Sequence, residues 1–271
     1  MMKKALLAAT VASGLIVPSA AAGVYLPPKP AIVKPENLDF SSHMLLGMPF
    51  TMGMLPGRAK AAPYIVSTGA RYTSSSSLTS HTVSLPTPTQ ANDLLLMMVL
   101  TPDSTTLTVT GWSTYPPFTP SGGALTRNYI YLKEATGSDG SSVTITSDFS
   151  TLLEARAFLI RGRKTGLTTS EIAVATPATF ADGTQPNSPA LTPTWGAANN
   201  LWMVFGNRDA SGLAMNSWPS GFTLHHTVMN THDTMFFAFQ QLNAATLDPT
   251  AFTLSATTGR ACASLFAIRP A

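Results

Sequence analysis

From Tyr64 onward, apolar or β-branched runs alternate with clusters of Gly, Pro, Ser, Thr, Asn and Asp. Short runs bounded by turn formers read as strands. No long stretch carries the three-to-four apolar spacing of an amphipathic helix. The pattern predicts strands over His81–Leu85, Leu94–Leu100, Leu107–Gly111, Asn128–Glu134, Ser142–Thr146 and Ala155–Arg161. A second set follows over Ala190–Thr194, Leu201–Phe205, Phe222–His225, Thr234–Leu242, Ala251–Ser255 and Ala261–Arg269. Tyr115-Pro-Pro-Phe-Thr-Pro120 and Trp218-Pro-Ser-Gly221 read as loops.

The two sets correspond in order and character. Ala91-Asn-Asp-Leu-Leu-Leu-Met-Met-Val99 resembles Ala198-Asn-Asn-Leu-Trp-Met-Val-Phe-Gly206, an offset of 198 − 91 = 107. Gly111-Trp112 matches Gly221-Phe222 at 221 − 111 = 110, and Tyr129–Glu134 matches Met235–Gln240 at 235 − 129 = 106. Ser142–Thr146 pairs with Ala251–Ser255, and Ala155–Gly162 with Cys262–Arg269. A near-constant offset implies internal repeats over roughly 76–165 and 184–271. The expected fold is all-β: a jelly-roll-like antiparallel β-sandwich of two similar halves over 64–271, preceded by an extended arm over 1–63. In that reading each half has one apolar face and buries it against the other half. Two tandem small sandwiches are the alternative.

The arm has a different grammar. Lys3 and Lys4 precede an apolar run from Ala5 to Val17 and a small-residue stretch to Gly23, the layout of a secretory signal. The run is too short to span a bilayer. It reads equally as a retained apolar plug. Leu26, Pro27, Pro28 and Ile32 lie in a polyproline-type stretch. Met44, Leu45, Leu46, Met48, Phe50, Met52, Met54 and Leu55 form an adhesive run in which Pro49 and glycines forbid a regular helix. These twelve residues are the expected partner anchors.

Composition narrows the class. Only 11% of residues are charged, which suits a protein embedded in an assembly or working outside a cell. The net charge of +3 is scattered, and Arg161, Arg163 and Lys164 form its only short cluster. That is too small for a nucleic-acid footprint. The single cysteine, Cys262, excludes an intrachain disulfide and sits in a strand-like run, where it reads as a small core residue.

Candidate chemistry is sparse. His225, His226, His232 and Asp233 form the only histidine-rich cluster. On a strand His225 and His226 point to opposite faces, so the cluster reads as a polar loop rather than a metal site. Most of the acids read as turn residues, without the paired carboxylates of a glycosidase. No nucleophile elbow, phosphate loop or zinc-hydrolase signature occurs. No catalytic residue, cofactor or metal is therefore expected. Among the aromatics, Trp112 and Trp202 read as core, whereas Tyr115, Phe118 and Trp218 lie in loops suited to a receptor or a host-surface glycan.

Several blocks resemble a β-sandwich domain of tailed-bacteriophage virion proteins, with the pattern GDLLLA…GW…YYKVA…SYTFT…YRG. The counterparts are Asn92-Asp-Leu-Leu-Leu-Met97, Gly111-Trp112, Tyr129-Ile-Tyr-Leu-Lys-Glu-Ala135, Ser142-Val-Thr-Ile-Thr146 and Ala157-Phe-Leu-Ile-Arg-Gly162. Asn92 replaces the usual Gly. Leu26-Pro-Pro-Lys-Pro-Ala-Ile-Val33 is similar to the openings of small phage tail proteins. The resemblance implies a non-enzymatic virion component, tail- or fibre-associated or decorating a capsid. It would contact other virion proteins through its arm and form a homo-oligomer or symmetric assembly. The alternative is a secreted or periplasmic module that binds carbohydrate or a cell-surface partner.

Overall fold

The computed structural model describes residues 61–102, 105–118, 126–229 and 233–271. All of these belong to one compact unit, Met54–Ala271. The twelve expected anchors, Leu26 to Leu55, lie outside the described residues, as does the signal-like segment.

The described residues are all-β, with no helix among them. The N-terminal half contributes β1 (Tyr64–Thr68), β2 (Tyr72–Thr73), β3 (Leu78–Ser84), β4 (Ala91–Pro102), β5 (Leu107–Thr108), β6 (Ser113–Phe118), β7 (Thr126–Thr136), β8 (Ser142–Thr151) and β9 (Glu154–Arg161). The C-terminal half contributes β10 (Ile172–Val174), β11 (Ala178–Phe180), β12 (Ala198–Arg208), β13 (Met215–Ser217), β14 (Leu224–Met229), β15 (Thr234–Ala244), β16 (Thr253–Leu254) and β17 (Ala261–Ile268). Each half has one large antiparallel sheet. Their strand orders are β1-β9-β4-β7-β6, with β2 also on β9, and β10-β17-β12-β15-β14, with β11 also on β17. A small outer sheet accompanies each: β3-β8-β5 in the N-terminal half and β13-β16 in the C-terminal half.

The layers follow from side-chain alternation. On β4, Leu94, Leu96, Met98 and Leu100 face the other half, while Leu95, Met97 and Val99 face the outer sheet. On β12, Leu201, Met203 and Phe205 point inward, while Trp202 and Val204 point outward. The two large sheets thus press face to face around a central core, and each covers a second core beneath its small sheet. The single-apolar-face expectation is corrected here: the central strands are apolar on both faces. This explains why Leu94–Leu100 is an unbroken apolar run rather than an alternating one. Each half is a two-sheet sandwich, and the two sandwiches are stacked. Each large side chain in these cores contributes about 1.5–3 kcal/mol relative to exposure.

Several sequence expectations change at the margins. Ala190–Thr194 forms only a bridge between Leu191 and Leu247. The strand expected to run to Gly111 stops at Thr108, and Gly111 turns the chain at φ +77°. Gly221 does the same at φ +86°. Trp112 N donates to Val109 O and Phe222 N to Pro219 O, each at 3.3 Å, so the two turns are alike. Asn92 sits at φ +71°, a left-handed position that glycine favours and asparagine tolerates. It lies in a bulge between Ala91 and Leu94. The Tyr115 segment, expected as a loop, is edge strand β6, with a register shift between Tyr115 and Phe118 where the two prolines sit. An edge strand admits proline because one side of its backbone needs no partner.

Candidate functional site

The expected receptor aromatics are mostly packed. Tyr115 is half-buried between the halves. Its hydroxyl donates to Ile172 O at 3.0 Å, and its ring meets Phe266 edge-on at 6.3 Å. Burial, with the Glu171 charge, raises its phenol pKa. Tyr115 therefore tethers one half to the other. Phe118 closes β6 with its backbone opposite Asn128, and its side chain is outside the described residues. Trp218 is half-buried and rests edge-on against Phe252 at 6.0 Å, over the outer core of the C-terminal half. Trp202 is fully buried, with Nε1 donating to Leu242 O at 3.1 Å.

The histidine-rich stretch divides. His232 and the His225 side chain are outside the described residues. His226 lies over Phe158 at 5.5 Å and Phe239 at 6.3 Å, so it packs on the central core. Among the described residues, no group of three or more His, Cys, Asp or Glu is placed to hold a metal ion.

The short basic cluster is neutralised locally. Arg161 makes a two-pronged contact with Asp93, at 2.8 and 2.7 Å. Arg163 reaches Glu134 at 2.7 Å, and Lys164 reaches Glu171 at 3.3 Å. Burial pushes the Asp93 pKa up, but the Arg161 and Gln90 N–H hydrogen bonds outweigh it and leave the net shift downward. In the C-terminal half the equivalent position is Asn200, which accepts from Trp195 Nε1 at 3.0 Å. Ile268 pairs with Leu201 as Ile160 pairs with Leu94, so Arg269 takes the place of Arg161, and its guanidinium lies over the Trp195 ring at 5.8 Å.

Two features escaped sequence reasoning because their residues lie far apart along the chain. One is an open groove of about 210 Å³ where β1 meets the C-terminal half. Tyr64, Ile65, Thr223, Leu224, Gln240 and Gln241 line it. Tyr64 is 45% exposed and Leu224 39%. Gln241 Nε2 donates to Pro63 O at 2.8 Å and fixes the start of β1. An exposed aromatic face beside two amides offers stacking and hydrogen bonding to a polar ring. The only hint in the sequence is that Tyr64 opens the β region directly after the arm.

The other feature is a polar seam at one end of the central core. Asn128 Nδ2 donates to Cys262 Sγ at 3.2 Å, and Cys262 Sγ donates to Asn207 Oδ1 at 2.6 Å. Asn207 Nδ2 donates to Thr126 Oγ1 at 3.1 Å. All four residues are buried. The seam links β7 to β12 and β17 and gives the stacked sheets a fixed register, because buried polar groups must meet their partners. Burial pushes the Cys262 thiol pKa far up, which leaves the sulfur protonated and unreactive.

No family model, curated protein or solved structure matches this chain.

Proposed function

We propose that the chain is a non-enzymatic structural component of a bacteriophage virion. Its arm anchors it to other virion proteins, and its stacked β-sandwich is the rigid body that the arm holds in a tail, fibre or capsid surface. The observation that carries this reading is how the buried polar groups of the body are used. Asp93–Arg161, Arg163–Glu134 and the Asn128–Cys262–Asn207–Thr126 chain all join strands or halves. A body whose ion pairs and buried hydrogen-bond chain join its strands and halves suits load-bearing and symmetric assembly. The resemblance of the Asn92–Met97, Gly111-Trp112 and Tyr129–Ala135 blocks to phage sandwich domains points the same way. The test is mass spectrometry of purified particles. Peptides that include Met1 or Met2, at a fixed copy number, support the reading. A mature start near Gly23 in a secreted fraction refutes it.

The Tyr64 groove favours a second reading, a secreted or periplasmic module that binds carbohydrate. The aromatic and amide lining fits a sugar ring. Binding on a glycan array that Tyr64→Ala abolishes would support it, and an array without signal would refute it.

A further inference from the structure

Strand β9 turns from apolar to charged along one face. Ile160 and Phe158 belong to the central core, and alternation places Arg156 and Glu154 on the same face beyond them. Phe158 meets Phe237 of β15 at 5.4 Å. Four residues before Phe158 is Glu154, and four before Phe237 is Asp233. The two carboxyls come from opposite halves, and the Asp233 charge acts on Glu154. Glu154 is 0% exposed and Asp233 6%. Neither oxygen of Glu154 has a hydrogen-bond partner.

The surrounding charges do not neutralise Glu154. Arg71, in the turn between β1 and β2, favours its ionised form. Arg156, on its own strand, donates to Thr68 Oγ1 at 3.1 Å. Asp209, just after β12, adds negative charge on the Asp233 side. His226 of β14 lies over Phe158, and Tyr72 of β2 bonds His81 at 3.1 Å. Two buried carboxylates whose charges act across an interface cannot both be charged without a heavy penalty.

We propose that Glu154 and Asp233 act as a proton-dependent clasp: the interface between the two halves is tight while the buried pair is protonated and loosens as rising pH removes the proton from Glu154. Burial, reinforced by the facing Asp233 charge, pushes Glu154 up to about 8. Burial, with Asp209, pushes Asp233 up to about 7. Both groups hold a proton more tightly folded than unfolded, so unfolding releases protons. The stability they contribute is complete below the ordinary carboxyl range and is lost as pH rises through 7 and then 8.

The test follows urea unfolding of the full chain from pH 5.5 to 9.5, for wild type and Glu154→Gln. The wild-type unfolding constant should rise at least about tenfold per pH unit below pH 7, the slope of one released proton. Glu154→Gln should lose about tenfold per pH unit from that slope. If this variant does not fold, Asp233→Asn carries the same expectation. Hydrogen exchange, corrected for its intrinsic pH dependence, gives a second readout. Above pH 8, amides of 155–160 and 235–239 should lose protection in wild type while those of 143–146 keep theirs. Equal slopes in wild type and variant, or interface protection unchanged to pH 9.5, would overturn the clasp.

Discussion

Phe158→Ala would test whether the stacked sheets make one cooperative body. Phe158 is fully buried and lies against three rings of the C-terminal half: Phe237 at 5.4 Å, Phe239 at 5.1 Å and His226 at 5.5 Å. Removing a buried phenyl group costs about 3–5 kcal/mol, transfer and cavity terms together. The ring pairs are part of that sum and are not added again. A body of this size unfolds in urea with a slope of about 2–3 kcal/mol/M, so the midpoint should drop by about 1–2 M. The central core joins β4, β7 and β9 to β12, β15 and β17, and neither large sheet can expose that face alone. One transition should therefore persist. Fluorescence, dominated by Trp195, Trp202 and Trp218 of the C-terminal half, should move together with far-ultraviolet circular dichroism. A midpoint change worth less than 1 kcal/mol, or a fluorescence transition that stays in place while the circular dichroism shifts, would refute the one-body picture.

Other outcomes follow from local geometry. A Cβ on Gly206 would stand 2.2 Å from Phe236 Cε2 and 3.1 Å from Cys262 O, so Gly206→Ala should destabilise by about 1–3 kcal/mol, read by thermal unfolding. Cys262 should resist thiol reagents in the native protein and react fully in denaturant; fast labelling under native conditions would contradict its burial. Asp139 is held down at about 2: burial opposes ionisation, but hydrogen bonds from Lys133 and Thr136 N outweigh it. Its contribution is present above the ordinary aspartate range and is lost as pH falls toward 2, so an acid titration of Asp139→Asn should lack that part of the decline.

The sequence alone determined the central strands and their turns. Leu94–Leu100 and Leu201–Phe205 are short apolar runs bounded by turn formers, the signature of buried strands, and Gly111, Gly221 and Asn92 mark where the backbone takes a positive φ. It was less informative at edges. Strand β1 begins where the arm ends, and β6 carries two prolines, so both depend on pairing with β9 and β7 rather than on their own propensity. Which faces meet was decided only by tertiary structure. An apolar run on two faces is compatible with several stackings. The choice of two stacked sandwiches rests on contacts between residues far apart, such as Phe158 with Phe237 and Asn128 with Cys262. The Tyr64 groove and the Glu154–Asp233 pair are products of that stacking. Local pattern reports a residue's own face and period, whereas a groove or a buried carboxyl pair depends on which distant strand lies opposite.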